Sequence, residues 1–120
     1  MTTGFIIFAH GSRVEPANEA VRAVTRQFAA ASGYLHVQTA FLELGSPDLP
    51  GAVAALAASG VKRIVVIPYF LTLGLHLERD LPRLLSEISI QYNNLEIVAT
   101  PPLDDHPALI DILLDRARRA

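Results

Sequence analysis

Phe5-Ile6-Ile7-Phe8-Ala9-His10-Gly11-Ser12-Arg13 is the stretch that decides the fold. An apolar run ends abruptly in an imidazole, a glycine, a hydroxyl and a guanidinium. A short apolar run bounded by turn residues reads as a strand buried on both faces. Such strands belong to parallel sheets covered by helices on both sides. In open α/β sheets, ligands bind beyond the carboxyl ends of the strands. The run therefore places His10 where such a fold does its chemistry.

Working outward, the chain alternates strand and helix throughout. The first strand spans about Gly4–Ala9. A helix opens near Glu15-Pro16, carries Ala17, Val21, Val24 and Phe28 at helical spacing, and ends at Gly33. The second strand is about Leu35–Leu42. Ser46 then offers an N-cap, Pro47 a first helical position and Asp48 a favourable charge for the helix dipole, so the second helix runs from there to about Ser59. The third strand, Lys62–Pro68, contains the strongest strand signal, Ile64-Val65-Val66-Ile67. A long apolar connection, Tyr69–His76, follows it. The third helix is expected to begin near Asp80 with Pro82 in its first turn and Leu81, Leu84, Leu85 and Ile88 on one face. Asn93-Asn94 marks a turn before a fourth strand, Leu95–Thr100. Asp105 caps a fourth helix with Pro107 in its first turn and Leu109, Leu113 and Ala117 on one face.

Right-handed crossovers make such units a parallel sheet with helices on both faces. The expected architecture is one flavodoxin-like α/β domain over residues 1–120, with strand order 2-1-3-4.

Composition narrows the function. The chain has 51% hydrophobic and 18% charged residues, more apolar than a typical soluble domain. That fits a doubly covered sheet or a surface used for self-association. A net charge of -2 without a basic run gives no footprint for nucleic acid. With no cysteine, disulfides, thiolate metal sites and thiol nucleophiles are excluded. Neither a signal peptide nor a membrane-spanning stretch is visible, so the expected compartment is the cytoplasm.

Three residues able to bind metal or move protons stand at the carboxyl ends of successive strands: His10, Glu43 and His76. In a 2-1-3 order these strands are neighbours, about 4.8 Å apart, so the three can face one cleft. Two imidazoles and a carboxylate suit a divalent first-row metal and leave coordination positions open. Singly, each has an ordinary role: a turn histidine, a solvated carboxylate, a half-buried histidine. His36 lies at the opposite edge and reads as surface; His106 reads as an exposed helix start. Ser12 has no Gly-x-Ser-x-Gly elbow around it. Gly11 and Ser12 instead free backbone N–H groups for an anion. Neither a Gly-x-Gly-x-x-Gly nor a Walker A sequence is present, so no nucleotide is indicated. Arg13, Arg79 and Arg83 offer guanidinium groups for a ligand rich in carboxylates.

These residues together resemble the small sirohydrochlorin cobaltochelatases of the CbiX type, related to the sirohydrochlorin ferrochelatases. The carriers are His10-Gly11-Ser12-Arg13 with Ala17-Asn18, Ala40-Phe41-Leu42-Glu43 with Pro47, and Ile67-Pro68-Tyr69-Phe70-Leu71 with Gly74 and His76. Asp80-Leu81-Pro82, Pro102-Leu103 and His106-Pro107 complete them. The resemblance implies a class II chelatase fold and ATP-independent insertion of a divalent metal into sirohydrochlorin, a tetrapyrrole. It implies metal-binding and catalytic roles for His10 and His76, and a further metal-site role for Glu43. It also implies a homodimer with its cleft between protomers. The expected substrate-binding set is Gly11, Ser12, Arg13, Leu73, Gly74 and Arg79. The metal, Co²⁺ first and Fe²⁺ or Ni²⁺ next, is a substrate, and no organic cofactor, membrane or nucleic acid is expected. The sequence around Gly74 and His76 departs from the family pattern, and no histidine-rich tail is present. Two other readings use the same edge: a non-catalytic metal or tetrapyrrole carrier, and a flavodoxin-like regulatory or phosphate-binding domain.

Overall fold

Successive residues along each strand point to opposite helical layers, so apolar residues two apart share one face, and this alternation builds the core. The computed structural model describes residues 2–120. Its elements are β1 (Thr3–Ala9), α1 (Glu15–Ser32), β2 (Val37–Phe41), α2 (Leu49–Ala58), β3 (Arg63–Pro68), α3 (Gly74–Ser89), β4 (Glu96–Ala99) and α4 (Ala108–Arg119). All strand pairs are parallel, in the order β2-β1-β3-β4. The expected flavodoxin-like order 2-1-3-4 is the one observed.

Ile6 and Phe8 of β1, Ala40 of β2, and Ile64 and Val66 of β3 pack with Leu49, Ala52, Val53 and Leu56 of α2 and with Leu81, Leu85 and Ile88 of α3. Each of these larger side chains contributes roughly 1.5–3 kcal/mol by leaving water. On the other face, Phe5 meets Phe28 of α1 edge-on at 6.1 Å. There the Thr39 hydroxyl donates to Thr25 of α1 over 2.8 Å, a buried polar pair that satisfies itself.

Four differences from the expected elements stand out. Strand β2 begins at Val37 rather than Leu35. Helix α2 is capped by Asp48, whose Oδ1 accepts from Gly51 N at 2.8 Å, and not by Ser46. Residues before Asp48 are held as an extension of the sheet, because Phe41 N donates to the Pro47 carbonyl at 2.9 Å. Helix α3 begins at Gly74, whose φ of +76° makes the turn into it, so His76 lies in its first turn and Pro82 in its interior. Pro82 is exposed, so the helix carbonyl it cannot serve is left on the water side.

The fourth difference is the largest. No residue of α4 is buried. Leu113 and Ile110 are each 59% exposed, where a covering face was expected around Leu109, Leu113 and Ala117. The radius of gyration is 15.0 Å, against about 13.6 Å for a compact domain of this length. The principal extents of 51 × 33 × 29 Å agree with a projecting element. On the α1 side of the sheet, Val65 and Ile67 of β3 and Val98 of β4 are correspondingly only half-buried. No described helix is long and apolar enough to cross a membrane.

Candidate metal and macrocycle site

The β1–β2 pairing does not stop at the strand ends. Leu42 N donates to Ala9 O at 2.8 Å, and Glu43 N donates to His10 O at 3.1 Å. Those added rungs bring His10 and Glu43 side by side beyond the carboxyl edge. The His10 Nε2 and Glu43 Oε1 atoms are 3.6 Å apart, and both side chains are more than half exposed. The His10 Nδ1 atom lies 3.2 Å from the Gly11 carbonyl. A carbonyl only accepts, so in the neutral ring this bond places the proton on Nδ1 and leaves Nε2 as the unprotonated nitrogen. An imidazole held this way is prepared as a metal ligand.

Two ligands about 2.1 Å from one tetrahedral ion stand about 3.4 Å from each other. The 3.6 Å separation of His10 and Glu43 therefore accommodates a shared cation with little movement. His76 does not join them. Among the described residues, no three His, Asp or Glu side chains form a group that could hold a metal ion. His76 stands instead in the first turn of α3, where it is exposed.

Gly11 is required by the geometry of the two loops. Its φ is +95°, and a Cβ there would stand 1.6 Å from the Glu43 carbonyl oxygen. Leu44 follows with a φ of +57°. Phe70 supports the histidine from below: its ring lies 6.5 Å from that of His10 and 5.9 Å from that of Phe8. It stands in the sequence as one more apolar residue after β3, with no signal of this role. The same holds for Asn18, a polar residue on α1 that is only 1% exposed.

The surrounding surface is apolar with basic residues beside it. Val14, Leu42, Leu44, Tyr69, Leu71 and Leu75, all from loops or first helical turns at this edge, are exposed. Arg13 and Arg79 are exposed and outside the ion pairs formed among the described residues. Arg83 is instead taken up by Asp80 at 3.5 Å and Glu87 at 3.9 Å. Ser12 is committed to its own turn, where its hydroxyl accepts from Val14 N at 3.0 Å. Leu73 immediately precedes α3 and is half-buried, packed against the core. His36 lies at the opposite edge, its carbonyl accepting from Phe5 N. His106 Nδ1 accepts from Ala108 N at 3.0 Å and so serves the start of α4.

Behind the loops, Arg22 donates to Glu15 at 2.6 Å and to the Ser46 carbonyl at 3.1 Å, and sits 5.3 Å over the Phe41 ring. The hydrogen bond from Arg22, and then that from Asn18, holds the Glu15 carboxyl below its usual range. Among the described residues, one cleft lies between α3 and β4 and another against α4 by Leu103, His106 and Ile112. The His10 edge is an open surface.

Residues 4–120 match the CbiX family model. The chain is 34% identical over 113 residues to the chloroplastic sirohydrochlorin ferrochelatase of Arabidopsis thaliana, covering 94% of this chain and 50% of that one. It is 29% identical over 136 residues to the sirohydrochlorin cobaltochelatase of Methanopyrus kandleri, covering 96% and 94%. The chain thus spans half the length of the plant relative and nearly all of the archaeal one. A CbiX protein from Marinobacter aquaeolei VT8 superposes with a TM-score of 0.84 at 24% identity, covering 98% and 99% of the two chains. The sirohydrochlorin chelatase SirB of Bacillus subtilis, solved with cobalt, superposes with a TM-score of 0.91 at 23% identity, covering 99% of this chain and 51% of that one. At these identities the likeness to the solved structures is one of fold.

Proposed function

The chain belongs to the CbiX family, and from that premise we propose that it inserts a divalent metal into sirohydrochlorin without ATP, cobalt being the first candidate and iron or nickel the next. We read residues 1–120 as one chelatase domain acting in the cytoplasm. The observation that carries the reading is the His10–Glu43 pair, 3.6 Å apart at the open end of the sheet.

Insertion exchanges two pyrrole N–H protons for one M²⁺ and strips water from the metal. An imidazole is suited to both tasks, because it binds metal when neutral and accepts protons near working pH. His10 takes the ion on Nε2, with Glu43 as the second ligand and the acceptor that passes protons to water. His76 supplies the other imidazole from the first turn of α3. A flat macrocycle lies against the exposed leucines and Tyr69. Its peripheral carboxylates meet Arg13, Arg79 and the backbone at Gly11, Ser12, Leu73 and Gly74, guanidinium being the natural partner for carboxylate.

The active unit in this reading is a homodimer. The bare apolar stripe of α4 and the half-buried strip of Val65, Ile67 and Val98 are two apolar surfaces of one chain left without cover. A second copy covers them and turns the open His10 edge into a cleft.

The test is insertion of Co²⁺, Fe²⁺ and Ni²⁺ into sirohydrochlorin, followed by absorbance with the spontaneous reaction subtracted. Removing a proton-transfer group costs roughly 10²–10⁴-fold, so His10→Ala and His76→Ala are each expected to lose at least about 100-fold in rate. Full insertion by both variants overturns the assignment. Metal and tetrapyrrole binding without any rate gain over the spontaneous reaction makes the protein a carrier instead.

A further inference from the structure

We propose that Asn18 is a positioning residue that clamps the His10 loop to the Glu43 loop and so sets the spacing of the two ligands; this rests on the chelatase reading above. Asn18 stands in the first turn of α1 and is 1% exposed. A buried amide in a helix is costly unless its hydrogen bonds are made. Here they are all made, and two of the three partner residues belong to the loops of the site. Its Oδ1 accepts from Ser12 N at 2.9 Å. Its Nδ2 donates to the Ser12 carbonyl at 2.8 Å and to the Leu44 carbonyl at 3.0 Å, with Glu15 Oε2 at 3.2 Å.

One side chain thus grips both backbone groups of Ser12, two residues after His10. It also grips the carbonyl of Leu44, the residue after Glu43. The second grip crosses 26 residues of sequence. Helix formation explains none of this, since an apolar side chain at the same place would pack and satisfy nothing. The loops need it: both are irregular, with Gly11 and Leu44 at positive φ, and neither side chain of the His10–Glu43 pair is buried enough to be fixed by packing. Asn18 fixes them from beneath without touching metal or macrocycle.

Asn18→Asp isolates the effect. It keeps the acceptor for Ser12 N but turns the donor into a second acceptor, facing two carbonyls and a carboxylate. Asn18→Ser, with no added charge and too short to bridge both loops, is the milder companion if the aspartate variant does not fold. Losing a group that orients a metal ligand typically costs 10–100-fold. At a temperature where the variant is fully folded, kcat for Co²⁺ insertion is expected to fall about 10–100-fold, with KM for sirohydrochlorin changed less than about threefold. The Kd for Co²⁺ alone is expected to rise about 10-fold. Ile88→Ala, a cavity variant in the core at the far end of α3, lowers the melting temperature but leaves these constants at wild-type values. A folded Asn18 variant with wild-type kcat and wild-type Co²⁺ affinity overturns the clamp. If that variant is fully active while His10→Ala is inactive, only the clamp falls. If His10→Ala also inserts metal at the wild-type rate, the chelatase reading falls with it.

Discussion

The first βα unit and the last are built from the same ingredients and end in opposite states. Helix α1 buries Asn18 and Thr25, polar residues whose bonds reach the sheet and two loops. Helix α4 has an apolar stripe just as suited to a core, yet buries nothing. The difference lies in the connections. The β1–α1 loop is bonded to the β2–α2 loop and brings its helix straight back onto the sheet. The β4–α4 connection is tied to the loop after β3, with Leu103 N on Phe70 O at 2.9 Å and Asp104 N on Leu71 O at 2.8 Å. Prolines 101, 102 and 107 limit its paths further. The lesson is that an amphipathic pattern says a face will be covered, without saying by which chain.

Three variants put that contrast to the test. Gly11→Ala has the largest expected effect. Its Cβ would meet backbone rather than a movable side chain, at a positive φ. The loss in stability is expected to exceed about 3 kcal/mol, by urea unfolding, because strain and overpacking act together. A loss under about 1 kcal/mol would mean that the two loops separate freely. Next is Ile112→Asp with Leu113→Asp, at two exposed apolar positions of α4. Wild type is expected to sediment as a dimer and the double variant as a monomer. Two charges buried in an interface cost several kcal/mol, enough to weaken the dimer by at least about 100-fold. A wild-type chain that is monomeric at high concentration breaks the homodimer reading. Smallest is Gly74→Ala. Gly74 also has a positive φ, but a Cβ there meets nothing within 4 Å. Only the conformational penalty of roughly 1–2 kcal/mol is expected, and its measured ratio to Gly11→Ala reports how much the close approach of the front loops adds.

Much of the candidate site is legible in the sequence because polar residues at strand ends stand out against apolar strands. His10 and Glu43 follow β1 and β2 directly, and continued pairing of those strands delivers them to each other. His76 was equally legible as a residue, but its placement depended on where α3 starts. Gly74 opens that helix with a left-handed turn six residues before the Asp80-Leu81-Pro82 signal. Asn18 and Phe70 stand among the residues that carry the family resemblance, but what each of them holds was not legible, since a helix amide and a loop aromatic show their contacts only once their neighbours are known.

The alternation of strands and helices, the parallel sheet in the order 2-1-3-4 and the family are all readable from the chain's residues alone. Local patterning and crossover handedness are enough for these. Three-dimensional folding is what pairs His10 with Glu43, leaves His76 apart, bonds Asn18 to both loops and leaves α4 without a buried face. Those outcomes depend on distances between residues far apart in the chain and on the path of each loop. Spacing along a sequence carries neither.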